Sequence, residues 1–172
     1  VGQNTLGYNN PNVDKEVIRK IKLGNMSTLN STEEVQLAEE LLNIHKWAGM
    51  AKFARSGGEA NALAIRVARA ASKKDHVAIC GYHGWHDWYL SVNLKNKNNL
   101  NAHLLPGLEP LGVPKILKNT VHPFSYGNIN QLYDIIKKFD LAAVKMEVGR
   151  STLPNVNFIN EVRELTAKKK LF

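Results

Sequence analysis

Cysteine and long apolar runs are both scarce in this sequence of 172 residues. Cys80 is the single cysteine, so an internal disulfide framework is excluded and a reducing compartment, the cytoplasm, is expected. No apolar stretch approaches the roughly 20 residues that a membrane-spanning helix needs, so no integral membrane protein is predicted. With 44% hydrophobic and 22% charged residues, the composition is typical of a globular domain with an ordinary core.

Long runs of like charge are also missing, although the chain is basic overall. It has 23 lysine and arginine residues against 15 aspartate and glutamate residues, a formal net charge of +8. The one longer run is Lys168-Lys169-Lys170, whereas nucleic-acid binding proteins concentrate their basic residues on one face. We therefore interpret the excess as a solvated basic surface and expect neither a nucleic-acid nor a membrane partner.

Hydrophobic periodicity predicts alternating helices and short strands. Helices are expected from about residue 12 to 23 and from Ser31 onward, where Glu34 would complete a capping box. The remaining predictions are helices over 59–72, 128–139 and 157–169, strands over 51–55, 76–80 and 141–146, and a loop over 100–114. Because the strands are continuously apolar, we expect an α/β domain with a mainly parallel sheet covered on both faces.

The two ends of the sequence both suggest a longer polypeptide. The chain begins at Val1 with no initiator methionine and no targeting segment. It stops at Leu171-Phe172, an apolar pair that would begin another strand after the last predicted helix. We therefore expect both ends to be interior points of a larger protein.

The most informative motif is Ser56-Gly57-Gly58, which directly precedes a predicted helix. Unpaired backbone N–H groups and the positive end of the helix dipole converge at such a turn, and this arrangement binds phosphate. The glycines keep side chains away from the anion, and Ser56 adds a hydroxyl donor. A glycine-rich turn that caps a helix without a ligand is the alternative. The motif matches neither a dinucleotide fingerprint nor a triphosphate loop, so a nucleotide is not indicated.

Aromatic residues follow the next predicted strand, in the segment CGYHGWHDWY over residues 80–89. Ligands of parallel sheets bind at the carboxyl ends of the strands, so Tyr82 and His83 should lie near the Ser56 turn. Aromatic rings at this edge would cover a flat heteroaromatic ligand by stacking.

A metal site is the competing interpretation of the same segment. His83 and His86 are three residues apart, which on a helix brings both side chains to one face, and Cys80 lies upstream. No second ligand cluster follows, and Asp87 is the only nearby carboxylate, so we expect no metal. The two tryptophans of the segment are interpreted as packing residues: Trp85 and Trp88.

Glu147 directly follows the predicted strand LAAVKM. A carboxylate at the carboxyl end of a buried strand faces the ligand edge of the sheet, and its burial costs free energy unless it is hydrogen-bonded or paired. A functional role is therefore reasonable, and a structural hydrogen bond to a loop is the alternative.

In this order and at these intervals, the motifs resemble those of the class III aminotransferases among the pyridoxal phosphate enzymes. The branch of the glutamate-1-semialdehyde 2,1-aminomutases is the most similar. The similar segments run along essentially the whole chain: TLGYNNPNVDKEVIRKI, GNMSTLNSTEEVQLAEEL, SGGEANALAIRVAR, GYHGWHDWY and LAAVKMEV. The resemblance implies fold type I, a three-layer α/β/α domain with a mainly parallel sheet. Residues 1–50 would form an N-terminal helical segment with an entrance loop, and 51–172 the first part of the large cofactor-binding domain.

The resemblance also implies pyridoxal 5'-phosphate as cofactor, with pyridoxamine 5'-phosphate as its aminated form. Ser27 and Thr28 would line the substrate entrance near a subunit interface. The cofactor positions would be Ser56, Gly57 and Gly58 around the phosphate, Tyr82 stacked on the pyridine ring with His83 beside it, and Glu147 near the ring.

Two positions depart from the family's pattern. Gly58 replaces the usual threonine or serine, which removes one hydroxyl from the phosphate cup, and Val148 replaces the usual proline after Glu147. The lysine that binds the cofactor covalently and the aspartate beside the pyridine nitrogen are expected beyond Phe172. No residue of this chain is therefore assigned a catalytic role, and the chain alone is expected to bind cofactor weakly or not at all and to show no turnover.

The activity implied by the resemblance is amino-group transfer on a small semialdehyde, keto or amino-sugar substrate, by a homodimer. The donor and the acceptor stay open, as does the choice between aminomutase and aminotransferase. Two other functions are kept as alternatives: a non-catalytic module that binds a phosphate ligand at the Ser56 turn, and a metal hydrolase built on His83 and His86.

Overall fold

A computed structural model describes residues 4–24, 28–103, 106–149 and 153–172 of the chain. Within these ranges the chain divides into two units, Val1–Lys52 and Phe53–Phe172. The Ser56 turn, the aromatic segment and Glu147 all belong to the second unit. None of the helices in the described ranges combines the length and the apolar character that crossing a bilayer requires.

The first unit contains two helices, α1 (Pro11–Ile21) and α2 (Thr32–Ile44). Asn10 caps α1, since its side-chain oxygen accepts hydrogen bonds of 3.2 and 3.3 Å from two amides of the first turn. Ser31 caps α2 by accepting a 3.2 Å hydrogen bond from the amide of Glu34, which confirms the part of the predicted capping box that the serine supplies. The apolar residues of α1 are all exposed: Val13, Val17, Ile18 and Ile21.

A parallel sheet forms the centre of the second unit. Its strands are β1 (His76–Cys80), β2 (Val121–Pro123) and β3 (Leu141–Met146), in the order β2-β1-β3. Both outer strands run parallel to β1, where Val77 lies opposite Val121 on one side and Ala143 on the other. The parallel sheet and the bounds of β1 and β3 agree with the predictions, whereas β2, with three residues, has no recognisable signal in the sequence.

Helices cover both faces of the sheet. They are α3 (Gly57–Ser72), α4 (Asp87–Leu90), α5 (Ile129–Lys138) and α6 (Val156–Lys168). Ile65 of α3 and Tyr89 of α4 pack with Ile79 of β1 in one core. Leu132 of α5 and Phe158 of α6 belong to a second core, which includes the side chains of β1 that point the other way. The predicted three-layer α/β/α arrangement is therefore confirmed.

The strand predicted over 51–55 is wrong, because these described residues form neither helix nor strand. Only Phe53 among them strongly favours a strand, and no described strand lies alongside to accept their backbone hydrogen bonds. The loop predicted over 100–114 is confirmed in its described part, apart from a 3-10 helix at Asn101–His103. Further 3-10 helices lie at Ser91–Leu94 and Lys115–Leu117.

Phe172 pairs with β3 through its backbone. The amide of Val144 donates a 2.8 Å hydrogen bond to the carbonyl of Phe172, whose own amide donates to the carbonyl of Ala142 at 3.4 Å. These two bonds place the backbone of Phe172 beside β3, but neither Leu171 nor Phe172 belongs to a strand, so the strand predicted to begin at Leu171 stays a prediction.

Candidate functional site

Two hydrogen bonds between side chains and backbone amides fix the Ser56 turn at the start of α3. The hydroxyl oxygen of Ser56 accepts a 3.2 Å hydrogen bond from the amide of Glu59, whose carboxylate accepts one of 2.8 Å from the amide of Arg55. Within the described part of the chain, the amides of Gly57 and Gly58 have no hydrogen-bond partner. Two N–H groups therefore point out of the positive end of α3, and the Ser56 hydroxyl keeps its own proton to donate.

The loop after β1 rests directly on this turn. Gly84 has a φ of +105°, and a β-carbon placed on it would lie 2.9 Å from Cα of Gly58, so only glycine permits this approach. The side-chain amide of Asn61 in α3 donates a 3.2 Å hydrogen bond to the carbonyl of His83 in the loop. The turn and the aromatic segment are therefore neighbours, as predicted, although no described strand leads into the turn.

Glu147 joins the same edge of the sheet from the end of β3. Its Oε2 accepts a 3.2 Å hydrogen bond from the amide of Tyr82, and its own amide donates to the carbonyl of Cys80 at 3.0 Å. A β-carbon on Gly81 would lie 2.9 Å from Cγ and Cδ of Glu147, so the carboxylate covers this glycine. The structure thus brings the Ser56 turn, Tyr82 and Glu147 together around the carboxyl ends of β1 and β3.

His83 lies beneath the loop and is 2% exposed. Its Nε2 is 3.1 Å from the carbonyl oxygen of Cys80, which can only accept, so Nε2 carries the proton. Burial, and then the charge of Lys145, lower the pKa of His83 to about 4 against an opposing effect of Glu147. The ring is therefore neutral at pH 7 and packs against Trp88 at a centroid distance of 6.3 Å.

Lys145 is a member of this cluster that the sequence analysis missed. It lies two residues before Glu147 in β3 and is half-buried. Burial lowers its pKa, while the negative charge of Glu147 raises it. The only signal in the sequence is a lysine inside the otherwise apolar strand LAAVKM.

The two tryptophans of the aromatic segment have different environments. Trp88 is 7% exposed and belongs to the core, which confirms its interpretation as a packing residue. Trp85 is 68% exposed, so the same interpretation is wrong for it. Its indole instead stacks on the imidazole of His86, with centroids 4.9 Å apart and planes 15° apart. Trp85 lies in the loop before α4 and Trp88 within α4, so the two indoles face different sides and separate into surface and core.

The structure does not assemble a metal site at the two histidines. In the described ranges, no three side chains of the ligand types His, Cys, Asp and Glu come together in a group. Nε2 of His83 already contacts the carbonyl of Cys80. The imidazole of His86 instead faces Gly58 at the Ser56 turn.

The two predicted entrance residues lie in the first unit. Thr28 is exposed, in a bend before α2. Ser27 lies outside the described residues. Their role at a substrate entrance stays a prediction.

Curated relatives match almost the whole chain, although no protein-family model does. The 3-aminobutyryl-CoA aminotransferase of Cloacimonas acidaminovorans is 29% identical over 170 residues, which are 93% of this chain and 37% of that protein. A glutamate-1-semialdehyde 2,1-aminomutase of Methanothrix thermoacetophila is 32% identical over 173 residues, 96% of this chain and 39% of that protein. The chain belongs to this family of class III aminotransferases and aminomutases. It spans about two fifths of the length of these relatives.

Solved structures of transaminases share the fold. An omega-transaminase from Sphaerobacter thermophilus superposes with a TM-score of 0.77 at 23% identity, over 96% of this chain and 40% of the other. A transaminase with PLP bound superposes with a TM-score of 0.80 at 20% identity, over 96% of this chain and 39% of the other. This class III chain therefore has the α/β architecture of fold type I, as its motifs imply.

Proposed function

We propose that the chain is the phosphate-binding and ring-binding part of a pyridoxal 5'-phosphate-dependent aminotransferase or aminomutase. The observation that carries the proposal is the meeting of the Ser56 turn, the Tyr82 loop and Glu147 at one edge of the sheet. In this assignment residues 1–50 are the N-terminal segment and 51–172 the first part of the large domain. Its relatives are aminotransferases and aminomutases over nearly all of this length, which supports the assignment.

The donors at the Ser56 turn suit a phosphate monoester. Two amides without a hydrogen-bond partner among the described residues, one hydroxyl and the end of a helix of 16 residues converge there. A β-carbon on Gly57 would have nothing within 4 Å, so an anion can approach the backbone from that side. The groups that would hold the cofactor phosphate are Ser56 and the amides of Gly57 and Gly58.

Tyr82 and Glu147 fit the ring end of the same cofactor. The Tyr82 ring stands edge-on to Tyr89, at 5.9 Å and 89°, which orients one aromatic face for stacking. Glu147 fixes the Tyr82 backbone, and neutral His83 supports the loop from below. When bound, the cofactor supplies an electron sink for bonds at the carbon that bears the substrate amino group. The described residues bind and orient it, and none of them is assigned the covalent bond to it.

The substrate of the whole protein is proposed to be a small semialdehyde, keto or amino-sugar compound, bound in a homodimer. The activities named for the relatives support this range. They include the aminomutases and also a 2'-deamino-2'-hydroxyneamine transaminase from Streptomyces kanamyceticus, 38% identical over 92 residues, 53% of this chain and 24% of that protein. Ser27 and Thr28 remain the proposed contribution of the first unit to the substrate entrance.

The test uses the full polypeptide that contains these 172 residues. Purified protein should carry a visible absorption band of bound cofactor, and borohydride should trap the cofactor on a lysine outside this segment, identified by peptide mass spectrometry. A protein that shows no band and traps no cofactor contradicts the proposal. Binding of phosphate ligands without any trapped cofactor would instead favour the non-catalytic module.

A further inference from the structure

The space beside Gly58 is filled by the imidazole of His86. A β-carbon placed on Gly58 would lie 3.1 Å from both Cδ2 and Nε2 of His86, and 3.8 Å from Oγ of Ser56. Real β-carbons are rarely this close to a neighbour, so a side chain at position 58 would push the ring aside. The edge of the ring that carries Nε2 therefore stands where a threonine or serine side chain would otherwise be.

Contacts on two sides orient His86. On one side, the close approach of Gly84 to Gly58 seats the loop backbone on the turn. On the other side, the exposed indole of Trp85 stacks on the imidazole. Among the described residues, neither ring nitrogen of His86 has a hydrogen-bond partner. A ring held in place with an unused N–H group beside a phosphate-type turn is a ready hydrogen-bond donor.

We propose that His86 replaces the missing hydroxyl of position 58 and donates a hydrogen bond from Nε2 to the cofactor phosphate. The inference rests on the proposed function, because it assigns a residue to the phosphate of that cofactor. The cup then consists of the Ser56 hydroxyl, the amides of Gly57 and Gly58, and the imidazole of His86. This role of His86 also explains why position 58 is a glycine, since a larger residue would exclude the imidazole ring.

The hydrogen bond that His86 donates reaches the phosphate group and no other part of the cofactor. A phosphate carries two negative charges near neutral pH, and hydrogen bonds to charged acceptors are the strong ones. The same molecule without phosphate, pyridoxal, keeps the ring and loses the group that His86 would contact. The comparison of these two ligands therefore separates phosphate binding from packing of the loop.

The experiment measures the dissociation constants of pyridoxal 5'-phosphate and of pyridoxal on the full polypeptide, together with the ³¹P chemical shift of the bound cofactor. His86→Phe keeps a flat ring against Trp85 and removes the N–H group. His86→Gln keeps a side-chain N–H donor. The double variant Gly58→Thr with His86→Ala restores the hydroxyl in the vacated space. His45→Phe, at an exposed histidine of the first unit, is the matched control.

His86→Phe should weaken pyridoxal 5'-phosphate binding about 10- to 100-fold, the range for a hydrogen bond to a charged group. Pyridoxal binding should stay unchanged, and the ³¹P shift should move. His86→Gln should lose less affinity than His86→Phe, the double variant should recover most of the loss, and His45→Phe should match the wild type. The Gln and double variants keep the test decisive if the Phe variant does not fold.

Three results would overturn the inference. In the first, His86→Phe leaves the phosphate ligand's affinity and ³¹P shift unchanged. In the second, all His86 variants weaken pyridoxal as much as its phosphate, which indicates packing alone. In both of these cases borohydride trapping in the wild type leaves the proposed function standing. In the third, the wild type neither binds nor traps the cofactor, and the proposed function falls together with the inference.

Discussion

The backbone N–H of Tyr82 donates a 3.2 Å hydrogen bond to Oε2 of Glu147, a residue 65 positions further along the chain. This bond ties the loop after β1 to the residue that directly follows β3. It gives the carboxylate a structural partner and sets the position of the Tyr82 ring. The sequence left two interpretations of Glu147 open, a functional role and a structural hydrogen bond to a loop. The two are compatible, because Oε2 of Glu147 holds the loop that carries Tyr82, the proposed ring-binding residue.

Replacement of Glu147 should separate its charge from its role as an acceptor. Glu147→Ala removes the acceptor of the Tyr82 amide and should weaken cofactor binding about 10- to 100-fold, since bonds to charged groups contribute about 1.5 to 3 kcal/mol. Glu147→Gln keeps an acceptor oxygen and should lose less. Cofactor titration of the full polypeptide measures both, with Glu161→Ala on the exposed side of α6 as control. Equal affinities for all three variants would contradict the assignment.

The chain offers two matched caps for testing Ser56. Ser56 and Ser31 each accept a 3.2 Å hydrogen bond from an amide three residues later. Each change to alanine should lower the local opening free energy of its own helix by about 1 kcal/mol, measured by amide hydrogen exchange. Only Ser56→Ala should also weaken cofactor binding, because only this hydroxyl faces the proposed phosphate. Weaker cofactor binding in Ser31→Ala would show that cap loss alone explains the effect.

Gly84 should tolerate alanine much less than Gly112 does. Both glycines have positive φ, +105° and +82°, so alanine at either position costs about 1 kcal/mol or more. At Gly112 nothing lies within 4 Å of the added carbon, whereas at Gly84 it would lie 2.9 Å from Cα of Gly58. Gly84→Ala should therefore lose a further ~1 to 3 kcal/mol of unfolding free energy in urea titrations. It should also weaken cofactor binding, and similar losses at the two positions would argue against the close contact.

Two histidines, the buried His83 and the half-buried His122, should make the fold sensitive to acid. Burial lowers the pKa of His83 to about 4, and burial with the charges of His76, Lys95 and Lys138 lowers that of His122 to about 4, both from 6.5. Between these values the unfolded chain binds protons that the folded chain does not. The unfolding free energy therefore has its full value above about pH 6.5, and it decreases as the pH drops from there towards 4.

Urea titrations across this pH range measure the effect. The slope of unfolding free energy against pH should correspond to up to about one extra proton bound on unfolding for each histidine. His83→Gln and His122→Gln should each flatten the slope. An unchanged slope in the double glutamine variant would contradict the assignment.

Local signals predict much of this fold because they act over a few residues. Ser31 and Ser56 are recognisable as caps, since the polar side chain and the amide it bonds lie three positions apart. The strands β1 and β3 are continuous apolar segments and have the predicted bounds. β2 is too short to carry a pattern, and the segment over 51–55 has no neighbouring strand within the described residues. Strand formation depends on a partner, which local composition does not specify.

The order of the motifs by itself determined the family, and it predicted which residues meet at one edge of the sheet. Tyr82 and Glu147 were predictable there because they follow the carboxyl ends of parallel strands, whereas no strand of the described residues leads into the Ser56 turn. Only the tertiary structure decided that His86 fills the space beside Gly58 and that Trp85 is exposed. The physical reason is distance along the chain: these contacts join residues far apart in sequence, and packing of the loop on α3, rather than any local preference, selects them.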